Sequence, residues 1–371
     1  MKIAIIINTS WNIYNFRRGL IDHFMAQGHE IIAIAPRDDY SQKLVDLGCS
    51  YYALDFPGTS TNPVTDLSLI WRLYGILKTS KPDIILTYTI KPNIYTSLVS
   101  AVLKIPCICN VSGLGTVFLW KGSLKKIAVT LYRLAFRFSS WIFFQNEEDR
   151  KDFVEVVPIN LKKTSVLPGS GVNLQHFQLY PFNPDKTTTF LMIGRLIIEK
   201  GVIEFSEAAK HMCSRHSNVK FRIIGGYEPG HARSIDRALI DEWKSGSCIE
   251  WLDHQDDIRK YIEAADVVVL PSYREGTPKT LLEAGAMGKA LIATDVPGCR
   301  QVVKDGVNGF LCKVKDSRDL ANKMRLYLSL NREEKLQMHT DSRKHIEENY
   351  DENIVIGLYE KKIKELSGEK S

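Results

Sequence analysis

The sequence predicts an α/β protein built on parallel, doubly wound sheets. Apolar runs without strict alternation, such as EIIAIA (30–35), DIILTY (83–88) and VVVLPS (267–272), read as strands buried on both faces. Stretches with helical periodicity follow them. The chain opens with a strand over 2–7, a helix from about Phe16 to Ala26 ended at Gly28, and a second strand, a βαβ unit. A length of 371 residues sets the expectation of two domains.

The composition, 44% hydrophobic and 25% charged, places the chain among ordinary globular proteins, with a mildly basic net charge of +6. Seven cysteines without regular spacing are expected to be free thiols in a reducing compartment. Cys107 and Cys109 share one side of a strand and read as core thiols rather than metal ligands. The opening MKIAIIIN is too short for a leader, and no apolar run is long enough to span a membrane.

In a doubly wound sheet, ligands bind at the carboxyl ends of strands. The segment after the first strand, from Asn8 to Asn15, reads as a polar and aromatic loop. It offers Ser10, Asn12 and Tyr14 to a ligand, with Arg17 just beyond. No G-x-G-x-x-G follows the strand, which argues against a dinucleotide there. Lys91 and Asn93 stand where the strand at 83–88 gives way to a helix, a place that suits a phosphate or polar group. Gly113 and Gly115 follow the strand at 105–112 and permit close backbone approach; a simple turn reads equally well.

Residues 84–146 contain no Asp or Glu but seven Lys or Arg. Within them Lys121, Lys125, Lys126, Arg133 and Arg137 accompany an apolar helical face of Leu124, Ile127, Leu131, Leu134 and Phe138. A basic amphipathic helix with aromatics reads as a membrane-surface contact. The alternative is a core helix with its apolar face on the sheet and its basic face in water. Nothing resembles a nucleic-acid reading module. Residues 165–177 are Gly-rich and read as the crossing between domains.

In the second domain, a strand at TTFLMI runs into Gly194-Arg195 and Lys200-Gly201, where two cations could grip a phosphate. Surface charge at a helix start is the other reading. VKFRIIGG places Gly225 at another strand end. After VVVLPS comes Tyr273-Arg274-Glu275-Gly276, then Thr277 and Pro278 as N-cap and first helical residue of a helix carrying Leu281 and ending near Gly288. Unpaired N–H groups at such an end favour anions. Glu275 and Glu283 bracket the loop with seven residues between them. Carboxylates accept from sugar hydroxyls; the other reading is that Glu283 complements the helix dipole while Glu275 is solvated. Asp253, His254, Asp256 and Asp257 form no D-x-D motif near a strand end, and no metal is expected.

The stretch E-G-T-P-K-T-L-L-E-A resembles the E-x7-E signature of glycosyltransferase family four, and G-R-L-I-I-E-K-G resembles its second signature. I-Y-N-F-R-R, T-Y-T-I-K-P-N and S-G-L-G-T are similar to a bacterial subgroup acting on polyprenyl-diphosphate-linked sugars, including N-acetylgalactosaminyltransferases and capsule and O-antigen enzymes. Thr9-Ser10-Trp11-Asn12 and Asn110-Val111-Ser112 depart from that pattern, where many members carry a Gly-Gly loop and a histidine.

The resemblance implies a GT-B fold, two Rossmann-like domains facing across a cleft. Their expected extents are 1–180 and 181–349, with a terminal helix over 350–371 crossing back to the first. It implies a retaining hexosyltransferase that uses a UDP-sugar and a polyprenyl-diphosphate-linked acceptor at the inner leaflet of the cytoplasmic membrane, without a metal or other cofactor. Glu275, Arg195 and Lys200 would carry catalysis. Glu283, Gly276, Thr277, Pro278, Leu281, Gly194 and Gly225 would bind the donor. An epimerase on the same fold, or a non-catalytic lipid- or sugar-binding subunit, are the alternatives.

Overall fold

Each strand run is apolar on both sides, so each sheet needs helices on both faces. A computed structural model of the chain describes residues 1–56, 63–114, 123–183, 187–231, 233–246 and 248–368. The chain divides into two units, Met1–Ser170 with Glu352–Ser371, and Gly171–Asp351. The division falls inside the Gly-rich crossing rather than at 180. Val172 already bridges to Asp351, and its amide donates to the Tyr350 carbonyl (2.9 Å), so 171–180 belongs with the second unit.

The first unit runs β1 (Lys2–Ile6), α1 (Ser10–Ala26), β2 (Glu30–Ala35), α2 (Ser41–Asp46), β3 (Ser50–Ala53), α3 (Pro63–Ser80) and β4 (Ile84–Tyr88). It continues with α4 (Ile90–Leu103), β5 (Cys107–Val111), α5 (Ser123–Phe136), β6 (Trp141–Phe144), α6 (Glu147–Val156) and β7 (Thr164–Val166). The sheet is parallel, in the order β3-β2-β1-β4-β5-β6-β7. One face packs against Leu73, Leu77, Val99, Tyr132 and Phe136 of α3, α4 and α5. The other packs against Ile21 and Phe24 of α1 and against the terminal helix Glu352–Ser367, through Val355, Ile356, Tyr359 and Ile363.

The second unit runs β8 (Thr188–Ile193), α7 (Val202–Cys213), β9 (Val219–Ile224), α8 (Arg237–Lys244), β10 (Ile249–Leu252), α9 (Arg259–Ala264) and β11 (Val267–Leu270). It ends with α10 (Lys279–Ala286), β12 (Ala290–Thr294), α11 (Pro297–Val302), β13 (Gly309–Cys312), α12 (Ser317–Ser329) and α13 (Arg332–Tyr350). Its sheet order is β10-β9-β8-β11-β12-β13, again parallel. Each sheet therefore reverses its winding once, between β1 and β4 and between β8 and β11. A crevice opens at the carboxyl ends there.

Two expectations change. The helix expected from Phe16 begins at Ser10, because the Thr9 hydroxyl caps it by accepting from the Asn12 amide (3.2 Å). The supposed loop is therefore mostly the first turns of α1. Cys213 and Cys248 are joined as a disulfide between the end of α7 and the start of β10, whereas the other five cysteines are free and buried.

Tyr359 ties the terminal helix to the first sheet. Its ring is fully buried beside Phe143 (5.0 Å between centroids), and its hydroxyl accepts from the Asn110 amide (2.9 Å). Tyr359→Ala is expected to cost about 3–5 kcal/mol in urea unfolding. Tyr359→Phe, which leaves the Asn110 donor unpaired, is expected to cost about 1–3 kcal/mol.

Candidate functional site

The second sheet's reversal brings two distant segments together. β8 and β11 are hydrogen-bonded neighbours, with Phe190 opposite Val267 and Leu191 opposite Val268. Beyond β8 come Gly194, the exposed Arg195 and a 3-10 turn over Ile198–Lys200. Gly201 follows in the left-handed region (φ +74°), where a Cβ would overlap the Pro271 carbonyl. Glycine is thus what lets this turn lie against the segment leaving β11. The Tyr273 amide donates to the Glu199 carbonyl (2.8 Å), and Arg233 pairs with the Glu199 carboxylate (3.1 Å).

Held this way, Lys200 Nζ donates to Glu275 Oε1 at 2.5 Å, with both side chains largely shielded. A charge-assisted bond of this kind contributes about 1.5–3 kcal/mol. Arg195 forms no ion pair among the described residues, so its fork is open to an incoming anion.

α10 starts one residue later than expected. Pro278 is extended (ψ 112°) and occupies the cap position, where its own side chain makes no cap hydrogen bond. The Leu281 amide donates to the Pro278 carbonyl (3.0 Å) and its side chain is buried, which removes Leu281 from the donor-contacting set. Gly276 and Thr277 stay in the loop at the helix start. The Gly194 amide donates to Ile224 and the Gly225 amide to Leu252, each at 3.0 Å. A Cβ on Gly225 would overlap the Gly194 carbonyl, so this glycine is already required by the strand seam.

Glu283 lies one turn into α10, 9% exposed, with Lys279 at 4.0 Å. Burial pushes its carboxyl up to about 7, against the opposing pull of Lys279. A buried carboxylate of this kind is under-solvated and gains from hydroxyl donors. Lys200 and Glu275 therefore meet where β8 and β11 end, with Arg195 on the segment that leaves β8 and Glu283 on the helix that follows β11.

The equivalent edge of the first unit is built differently. Ser10 is fully buried, accepts nothing from outside, and is held by Asp38 (2.8 Å to its amide), the Pro36 carbonyl (2.8 Å) and Ser41 (3.2 Å). It organises the loop and leaves the acceptor set. Asn93 is likewise internal, donating to the Asn110 carbonyl at 2.9 Å. Lys91 is neutralised by Asp66 of α3 at 3.0 Å, a partner that sequence distance concealed. Tyr14 accepts from Arg18 at 2.8 Å.

Arg17 is 6% exposed and stacks over the Tyr88 ring (4.2 Å), with no carboxylate partner among the described residues. The side-chain amide oxygen of Asn12 (Oδ1) is buried without a hydrogen bond. Thr89, at the end of β4, has φ 65° and ψ 166°, a strained conformation for a β-branched residue. Gly113 also has positive φ (126°). Gly115 and Lys121 lie outside the described residues, as does the Lys125 side chain.

α5 reverses the core-helix alternative. Ile127 (55% exposed), Leu131, Leu134 (50%) and Phe138 face solvent beside Lys126, Arg133 and Arg137, while Tyr132, Ala135 and Phe136 pack inward. The reading of the sequence missed a second stripe on the same side of the sheet. Val64, Leu67 and Trp71 of α3 are exposed at helical spacing. A period of three to four residues away from the buried Leu69, Leu73 and Leu77 was the available signal.

Residues 180–348 match the family described as Glycosyl transferases group 1, and residues 15–169 match the Glycosyl transferase 4-like domain. The chain is 30% identical over 388 residues to the N,N'-diacetylbacillosaminyl-diphospho-undecaprenol alpha-1,3-N-acetylgalactosaminyltransferase of Campylobacter jejuni, covering 99% of this chain and 100% of that one. This chain belongs to the group 1 glycosyltransferases.

The glycosyltransferase is also 26% identical to the Escherichia coli UDP-Gal:alpha-D-GlcNAc-diphosphoundecaprenol alpha-1,3-galactosyltransferase, over 70% of each chain. A solved glycosyltransferase from Rickettsia africae shares its fold with a TM-score of 0.80 at 18% identity, covering 100% of this chain and 99% of that one. An Anabaena protein in complex with UDP and glucose matches at 0.79 and 16%, covering 98% and 100%. The fold is thus GT-B, with the two doubly wound sheets as its Rossmann-like domains, and the enzyme is a hexosyltransferase by class. Among the described residues no group of three or more His, Cys, Asp or Glu is placed to hold a metal ion. No helix among them is long and apolar enough to cross a membrane.

The raised carboxyl of Glu283 gives a signed prediction. A folded value of about 7 against an ordinary 4.5 makes this group a cost to folding that is absent below pH 4.5 and complete above pH 7. Glu283→Gln is therefore expected to exceed the native chain in stability above pH 7, by on the order of 1–3 kcal/mol. The gap should close as pH falls toward 4.5, as read by urea unfolding at several pH values. A gap that does not change with pH would mean that Glu283 does not titrate as its burial requires.

Proposed function

We propose that the enzyme transfers a sugar, an N-acetylhexosamine such as N-acetylgalactosamine or else galactose, from a UDP-sugar to a polyprenyl-diphosphate-linked saccharide, with retention of configuration. The observation that carries this reading is the meeting of Lys200 with Glu275 at the reversal of the second sheet, on the segments that also carry Arg195 and Glu283. The names of the relatives, which act on diphospho-undecaprenol-linked sugars, support the acceptor class.

In this reading the donor diphosphate lies against Arg195, Lys200 and the start of α10 around Gly276, Thr277 and Pro278. Lys200 spends one of its three N–H groups on Glu275 and keeps two for phosphate. Glu283 takes the ribose hydroxyls, and Glu275 the donor sugar near its reacting carbon. The bond from that carbon to the UDP oxygen breaks through an oxocarbenium-like transition state. The acceptor hydroxyl attacks from the same side, and its proton passes to the departing phosphate. Arg195 and Lys200 stabilise the charge that grows on that phosphate, which is electrostatic catalysis.

The acceptor reaches the first unit's carboxyl edge. There Arg17, a buried guanidinium without a carboxylate, and Asn12, with an unsatisfied buried oxygen, favour an anionic and hydroxyl-rich ligand. The exposed apolar and basic residues of α5, together with Val64, Leu67 and Trp71 of α3, rest on the inner face of the cytoplasmic membrane. Each basic residue at an anionic leaflet adds about 1 kcal/mol, enough in sum for reversible attachment.

Purified protein is to be incubated with UDP-sugars and detergent-dispersed polyprenyl-diphosphate monosaccharides, following UDP release and lipid-linked product. Release that requires the lipid acceptor is expected. Release without it would replace the transferase reading by hydrolysis or epimerisation. Arg195→Ala is expected to lower kcat/KM by more than about tenfold with an unchanged circular dichroism spectrum. Near-native turnover in that variant would take Arg195 out of the site.

A further inference from the structure

A second basic cluster lies away from the proposed transfer site. Arg133 of α5, Arg137 just beyond its end and Lys163, just before β7, line a cavity of about 370 Å³ whose wall is mainly apolar, formed by Phe136, Ile142, Pro158 and Ile159 with Asn160. Ile142 is near the start of β6 and Lys163 precedes β7, so the cavity sits at the amino edge of the first sheet. The ligand crevice lies at the carboxyl edge. None of the three cations forms an ion pair with a carboxylate among the described residues. Three like charges gathered without a counter-ion repel one another, and an anion entering among them removes that cost.

The surroundings narrow the anion. Leu134, Phe138 and Leu161 are each about half exposed, and they adjoin Arg133, Arg137 and the Asn160 turn in sequence. A soluble phosphate has no use for an apolar rim, whereas a lipid supplies a phosphate and two acyl chains together. The volume is that of a small-molecule pocket, which runs from about 300 to 1,000 Å³. We propose that Arg133, Arg137 and Lys163 form a site for the phosphodiester head group of an anionic phospholipid, with Leu134, Phe138 and Leu161 entering the acyl boundary. The proposal rests on the membrane reading of α5 and deepens it. Attachment becomes recognition of a phosphate, not only attraction to negative charge.

The test is sedimentation of the full chain with three kinds of vesicle: phosphatidylcholine alone, phosphatidylcholine with phosphatidylglycerol, and phosphatidylcholine with oleate at matched surface charge. The native chain is expected to favour the phosphatidylglycerol vesicles over the oleate ones by at least about fivefold. Lys163→Ala, an exposed position outside α5, is expected to abolish that preference while keeping the attraction common to both charged vesicles. Equal binding to both charged vesicles, unchanged in Lys163→Ala, would overturn the pocket and leave the membrane reading standing. No sedimentation with any vesicle would overturn both. Binding of glycerol phosphate at millimolar concentration without vesicles, lost in Lys163→Ala, would assign the site to a soluble phosphate and overturn the lipid proposal.

Discussion

Lys200 and Glu275 stand 2.5 Å apart because β8 and β11 are neighbours in a sheet that reverses its winding between them. Everything around the pair serves that adjacency. Gly201 has no side chain, so the turn after β8 can press against Pro271. Glu199 is bound through its carbonyl to Tyr273 and through its carboxylate to Arg233, which fixes the turn that carries Lys200. A point charge on a flexible stem becomes a placed charge.

The two units share a winding pattern and use it differently. In the second, the crevice at the reversal is charged and partly open, with Arg195 exposed and Lys200 shielded. In the first, the same position holds a buried guanidinium stacked on Tyr88 and a strained Thr89. Strain of that kind costs about 1–3 kcal/mol and persists only where surrounding structure holds it. The neighbouring Tyr88 lies 6.4 Å from the ring of Tyr359 in the terminal helix, which also reaches Phe143 and Asn110. The last helix of the chain is therefore part of the first unit's core.

α5 carries apolar residues on two sides. Tyr132, Ala135 and Phe136 complete the core, and Ile127, Leu131 and Leu134, with Phe138 just beyond the helix, are left over. This exposed apolar stripe beside cations is the feature on which the membrane proposal rests. α3 repeats the arrangement with Trp71, on the same side of the sheet.

The sequence by itself determined the strand and helix alternation, since apolar runs buried on both faces leave no other sheet type, and it exposed Arg195, Lys200, Glu275 and Glu283 through two local motifs. Such motifs are legible because their residues lie within one turn or loop. The buried faces of α1 and α5 and the true start of α1 needed the fold, because a helix pattern gives periodicity without saying which side meets the sheet. Tertiary structure alone decided that Asp66 neutralises Lys91, that Ser10 and Asn93 turn inward, and that Cys213 meets Cys248. Each of these joins residues far apart in the chain, and pairing across such distances is set by which strands and helices become neighbours, a choice made by packing and not by local sequence.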